Sequence, residues 1–281
     1  MKANRNYKDS VFTALFNDPD LLRELYCALG GVSLPKDVPV SINTLKNVLY
    51  MDLYNDISFE IGGKLVVLIE HQSTINPNMA LRFLFYISRV LEKIIKRKTL
   101  YSNRKVTIPK PEFYVLYNGP KPFEDISVLK LSDLFRNSKE LALPDNIHPM
   151  LELEVKVINI NEGRNAEIVN RCKELSEYSR FIGKIYAYFE ELENLEEAVE
   201  KAMKYCEKNG ILREFLEKYG SEVLNMLLEE WNMEDALAYA REEAREDALA
   251  EANQYVLELI NQGLTTEEIK LRLEQQPERL G

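Results

Sequence analysis

Apolar residues near the start of the chain recur at helical spacing, at Val11, Phe12, Leu15 and Phe16 and again at Leu21, Leu22, Leu25 and Leu29. Between the two sets stands Asn17-Asp18-Pro19-Asp20. This predicts one helix ending at Asn17 or Asp18 and a second beginning at Pro19, with Gly30-Gly31 closing it. A loop rich in Pro and small residues follows, and the period then changes. A short strand is expected over Ile42–Tyr50. The run Asp56–Gln72 reads as two strands around the turn signal Gly62-Gly63. The segment Met79–Lys98 returns to helical spacing, with apolar positions at 80, 81, 84, 87, 91, 94 and 95. Its end, Lys96-Arg97-Lys98, reads as a solvated helix terminus, because cations suit the negative end of the helix dipole. Pro111–Gly119 reads as a buried strand and Leu151–Ile160 as a half-exposed one. A long helix is expected from roughly Ala166 to Glu191. The pattern as a whole predicts an α/β domain that ends near residue 190.

From Leu195 onward the pattern is almost wholly helical, with breaks at Asn209-Gly210, Gly220 and Gly263. Thr265 and Glu268 form a capping-box pattern. Charged residues cover most turns of the Ala- and Glu-rich stretch around residues 242–260, as in a projecting helix or a coiled-coil arm. The expected division is therefore residues 1–190 as one domain and residues 191–281 as a helical region suited to oligomerisation.

Charge sharpens that division. Residues 1–189 carry 26 Lys and Arg against 22 Asp and Glu, whereas residues 190–281 carry 10 against 24. The net −10 thus belongs to the tail, and the front portion retains room for a basic surface. No apolar run approaches the ~20 residues of a membrane helix, and no apolar stretch follows the first basic residues as in a secretory signal. The expectation is a cytoplasmic protein that does not enter a membrane. Cys27, Cys172 and Cys206 are unspaced and read as small core residues. With only His71 and His148 besides, a metal here would be held by oxygen, which favours a hard cation such as Mg²⁺.

The chemistry concentrates in the hairpin. Asp56 lies near the start of its first strand and Glu70 near the end of its second, after the apolar run Leu65–Ile69. Burying a carboxylate is costly unless it is paired, protonated or bound to a cation. Alternation along a strand points Glu70 and Gln72 to one face and His71 to the other. Antiparallel pairing brings Asp56 opposite the Glu70–Gln72 region. Two carboxylates with a polar group two residues on suit a divalent cation that keeps several waters and takes further ligands from a phosphate.

The stretch "DISFEIGGKLVVLIEHQS" followed by "NMALRFLFYISRVLEK" resembles the PD-(D/E)XK nuclease-like transposase family, the Rpn recombination-promoting nucleases. The family pattern is an Asp in one strand and Glu-x-Gln at the end of the next, here Asp56, Glu70 and Gln72. Matches extend through Ser73, Met79, Arg82 and Tyr86. The opening "KDSVFTALFNDPDLL" and the later "SEVLNMLLEEWNMEDALAYAREEAREDA" resemble the family's terminal helices. Asp52 and Glu60 share the strand parity of Asp56 and leave the first acid open. The resemblance implies a restriction-endonuclease-like core, a mixed sheet flanked by helices, and a Mg²⁺-dependent endonuclease acting on double-stranded DNA in recombination or on mobile elements; the helical tail adds the expectation of a homodimer. It implies Asp56 and Glu70 as metal ligands and Gln72 where the superfamily's Lys would position the attacking water. Arg82 or Lys64 is then a source of positive charge, Tyr86 a neighbour of Arg82 one helical turn on, and Asp9 an outer ligand.

Plainer readings stand beside these. Asp56 can serve as an acceptor at a strand end. Arg82 can be an ion-pair partner that compensates the burial of Glu70, and Tyr86 can be core packing. A silent nuclease fold that binds DNA, or an assembly protein built around its tail, would use the same residues without catalysis.

Overall fold

The computed structural model describes residues 10–43, 56–136, 149–231 and scattered positions between 255 and 272. By compactness the chain divides into Met1–Met226 and Leu227–Gly281. The expected strand residues after Asn43, together with Asp9, Asp52 and His148, lie outside the described residues.

The chain opens with α1 (Val11–Leu15) and α2 (Pro19–Gly30). Asp18 caps α2 by accepting from the backbone N–H groups of Asp20 and Leu21, and Pro19 takes the first position, where no N–H is needed. Gly31 closes the helix at φ +64°, a left-handed conformation that a side chain would strain. Six strands form one sheet in the order β1-β2-β3-β4-β6-β5. They are β1 (Val40–Ile42), β2 (Ile57–Ile61), β3 (Leu65–Gln72), β4 (Lys110–Tyr117), β5 (Ile126–Lys130) and β6 (Glu154–Asn159). The β2–β3 hairpin turns through Gly62 and Gly63, both at positive φ, and Lys64 N–H closes it onto the Ile61 carbonyl at 3.0 Å. Between β3 and β4 the pairing becomes parallel. The intervening α3 (Met79–Ile94) makes the crossover that parallel pairing requires.

Two faces of the sheet acquire different cover. Val66 and Leu68 of β3, Val115 and Tyr117 of β4, and Val155 and Val157 of β6 pack with Met79, Ala80, Phe83, Tyr86, Ile87 and Val90 of α3. On the opposite face, His71 meets Phe12 of α1 and Tyr178 of α5 (Lys173–Leu192). Helix α6 (Leu195–Asn209) packs against α5, and Gly210 closes it at φ +68°.

Two expectations change, and one strand comes without a sequence signal. α3 ends at Ile94, with Ile95 already extended, so Lys96–Lys98 lie beyond the helix; Arg97–Tyr101 forms a separate 3-10 turn. The helix expected from Ala166 is two, α4 (Ala166–Val169) and α5, interrupted at residues 170–172. β5 went unrecognised: its five residues, exposed and half-buried by turns, present too little apolar pattern to stand out.

Candidate functional site

The register of the hairpin carries Ile57 opposite Ile69, and one further step sets Asp56 opposite Glu70. Glu70 is 3% exposed and Asp56 is half-buried. The His71 backbone N–H donates to Asp56 Oδ2 at 2.7 Å, and the Asp56 N–H donates to Glu70 Oε1 at 3.3 Å. The two acids are thus tied together by the hairpin backbone. Asp56 Oδ1 accepts no hydrogen bond among the described residues.

Arg82, in the first turn of α3, reaches the pair from the side. Its Nη2 donates to Glu70 Oε2 at 3.0 Å, and the guanidinium also donates to the Tyr86 hydroxyl, from Nε at 3.0 Å and Nη2 at 2.8 Å. The i,i+4 spacing of Arg82 and Tyr86 makes this contact possible. Arg82 Nη1 lies 3.2 Å from Met79 Sδ, and Gln72 Nε2 approaches the same sulfur at 3.0 Å. Gln72 Oε1 accepts from the Asn76 N–H at 3.2 Å. Gln72 therefore shares the face of Glu70, as alternation requires, while its amide turns toward the start of α3.

Burial sets the electrostatics. It pushes the Asp56 carboxyl up from 3.8 to about 6, against the opposing pull of the His71 N–H and the Arg82 charge. Burial and then the Asp56 charge raise Glu70 well above its ordinary value, with Arg82 pulling the other way. For Arg82, burial disfavours the charge, but Glu70 and Tyr86 outweigh it and hold the pKa above the usual value. Burial, reinforced by Glu70, raises the Tyr86 hydroxyl. Arg82 is thus a partial answer to the cost of the buried acids: it pairs with one of two carboxylates and is itself a third exposed.

Asp56, Glu70, Arg82 and Tyr86 form one connected group, with Gln72 joined to it through Met79. Glu60, in the first-acid position left open, occupies the same strand face but pairs with Val66 at the turn end of the hairpin. Lys64 also lies at that end, so it supplies no charge to Glu70; the cation beside Glu70 is Arg82. His71 belongs to the other face. It stacks on Phe12 with ring centroids 5.0 Å apart, its Nε2 lies 3.3 Å from the Tyr178 hydroxyl, and burial lowers its pKa to about 4.

Two features escaped sequence reasoning. Met79 bridges Gln72 and Arg82 through its sulfur, a role with no sequence signal. Gly119 follows β4 so closely against β3 that a Cβ there would overlap the Ser73 carbonyl oxygen. The Pro-flanked "NGP" suggests a turn, but not this approach to the strand that carries Glu70 and Gln72. Among the described residues, no group of three or more His, Cys, Asp or Glu side chains is arranged to hold a metal ion.

A family pattern described as "Putative transposase, YhgA-like" matches residues 34–208. The chain belongs to this family. The match takes in the whole hairpin, α3 and the central sheet, so every described member of the site falls inside it. No curated protein and no solved structure matches the YhgA-like chain. Among the described residues no helix is long and apolar enough to cross a membrane.

Proposed function

We propose that this YhgA-like transposase-family chain is a metal-dependent DNA endonuclease with a PD-(D/E)XK-type core. The observation that carries the reading is the placement of Asp56 directly opposite Glu70 at the open end of the β2–β3 hairpin, both raised in pKa by burial. The donor set fits a hard divalent cation. Mg²⁺ accepts one or two carboxylates and fills its remaining positions with water and phosphate oxygens, and Asp56 Oδ1 takes no hydrogen bond among the described residues. Asp56 and Glu70 would hold it. Such an ion lowers the pKa of bound water and stabilises charge on a phosphoryl group.

The chain's own residues would then act around it. Arg82 holds Glu70 in place and offers a cation beside the reacting phosphate, with Tyr86 fixing the guanidinium. Gln72 carries no charge and is no base; its amide orients a water after release from Asn76 and Met79. The substrate is double-stranded DNA in the cytoplasm, and the acidic sequence beyond residue 190 serves a homodimer, its charge repelling any DNA phosphate that comes within a Debye length of about 8–10 Å.

The Arg82–Glu70 ion pair supports a second reading, in which the group is a self-compensated polar network within a silent DNA-binding fold. Cleavage of supercoiled plasmid in Mg²⁺, Mn²⁺ and EDTA separates the two, with Asp56→Ala and Glu70→Ala beside the parent. Metal-dependent nicking lost in both variants, each folded by circular dichroism, is the expected result. Equal cleavage by the variants, or none by the parent, would favour the silent fold. Light scattering of the intact chain tests the dimer.

A further inference from the structure

Between Glu92 and Glu112 the chain carries Lys93, Lys96, Arg97, Lys98, Arg104, Lys105 and Lys110 and not one acidic residue. This run more than accounts for the basic surplus of the first 189 residues. With α3 ending at Ile94 and capped at Ile95, Lys96–Lys98 lie beyond its last turn. Arg97 lies 3.8 Å from Glu92 and Lys110 2.9 Å from Glu112, but Lys96, Lys98, Arg104 and Lys105 have no ion pair among the described residues. All four are exposed.

The segment is also built. Thr99 donates to the Lys96 carbonyl through both N–H and hydroxyl, at 2.8 and 2.7 Å, and the Ser102 hydroxyl donates to the Thr99 carbonyl at 2.8 Å. This turn holds Tyr101 outward at 91% exposure, with Leu100 beside it at 59%. A nearly naked aromatic on a hydrogen-bonded turn contributes little to folding. Flanked by unpaired cations, it has the makeup of a surface that binds phosphates and stacks a base.

Its place in the fold separates it from the carboxylates. Lys110 N–H donates to the Lys64 carbonyl at 2.9 Å, which fixes the end of the segment beside the hairpin turn. Glu70 lies five residues further along β3 than Leu65, roughly 17 Å at the rise of a strand. That is about five nucleotides of stacked strand at ~3.4 Å each.

We infer that residues 96–105 form a nucleic-acid anchor distinct from the carboxylate site, in which Lys96, Lys98, Arg104 and Lys105 take backbone phosphates and Tyr101 stacks on an unpaired base. The anchor therefore engages a duplex substrate where it is frayed or locally unpaired, and binds single strands more tightly than intact duplex. Charge favours DNA over an apolar partner, and the lone aromatic favours exposed bases over a lipid surface. This inference rests on the DNA half of the nuclease reading.

The test is fluorescence anisotropy of the full-length chain in EDTA, with a labelled single-stranded oligonucleotide and the matching duplex, over a salt series. For single strands, Lys98→Gln with Lys105→Gln should make the slope of log K against log salt shallower by about 1.4, or ~0.7 per phosphate contact. Tyr101→Ala should weaken single-strand binding roughly tenfold with the slope unchanged, while Tyr101→Phe binds like the parent. Unchanged affinity and slope in the charge variant, or no effect of Tyr101→Ala on single strands, overturns the anchor. Loss of binding to anionic phospholipid vesicles with DNA binding intact also overturns it and assigns the patch to a lipid surface. A chain that binds but does not cut leaves the anchor standing, and one that cuts while its anchor variants bind normally overturns the anchor alone.

Discussion

Replacing Asp56 with Asn should stabilise the metal-free protein at pH 8, although it removes a candidate catalytic group. Asn stands in for the protonated acid: it keeps an oxygen for the His71 N–H and sheds the charge that burial penalises. Burial places the Asp56 pKa at about 6 in the folded chain against an ordinary 3.8. Between those values the folded state binds more protons than the unfolded one, so stability falls as pH rises through the window. The penalty is absent below about pH 4 and complete above about pH 7. At about 1.4 kcal/mol per pKa unit the difference is at most ~3 kcal/mol, and relaxation of the site argues for about 1–3. Urea unfolding of parent and variant in EDTA from pH 4 to pH 8 measures it. The gain should be near zero at pH 4 and grow to its full value by pH 8. Millimolar Mg²⁺ should close the gap by stabilising the parent and not the variant. A variant destabilised equally at every pH would refute the reasoning and make Asp56 a plain acceptor for the hairpin backbone.

Arg82→Met leaves the buried Glu70 without its partner and should cost about 2–4 kcal/mol in EDTA at pH 8, below the full cost of breaking a fully buried pair because the guanidinium is a third exposed. Adding Glu70→Gln should recover part of that loss, and a double-mutant cycle by urea unfolding that shows no coupling would dismiss the ion pair. Gly119→Ala pushes a methyl group against the Ser73 carbonyl and should lower stability by about 1–3 kcal/mol. Because β3 must shift to accommodate it, plasmid nicking should fall as well; full activity with unchanged melting would remove Gly119 from the support of the site.

The carboxylate face was legible in the sequence because strand alternation is rigid: once Gly62-Gly63 fixed the turn, Asp56 fell opposite the Glu70–Gln72 region and His71 on the other face, while the exact register that sets Asp56 against Glu70 and leaves Glu60 at the turn came only with the structure. The arrival of Arg82 and Tyr86 was legible only as helical spacing, since the crossover that sets α3 beside β3 depends on long-range parallel pairing with β4. The orientation of the Gln72 amide toward Asn76 and Met79 was not legible, because it rests on hydrogen bonds to a loop whose path no local pattern specifies. The end of α3 was misplaced for a related reason. Ile94 and Ile95 continue the apolar spacing, yet the chain must turn there to reach Lys110 beside Lys64, and that demand is invisible along the sequence.

Glu70 and His71 are neighbours in the chain that serve opposite sides of the sheet, and this constrains how the gene can drift. Exchanging one apolar residue of β3 for another leaves both in place. Deleting a single residue between Leu65 and Glu70 would move both to the wrong face, carrying the carboxylate into the place of Ile69 on the side of Phe12 and Tyr178 and setting the imidazole opposite Asp56. The strand can therefore change its letters far more freely than its length, and the reading frame of the hairpin, more than its composition, is what descendants of this chain must inherit.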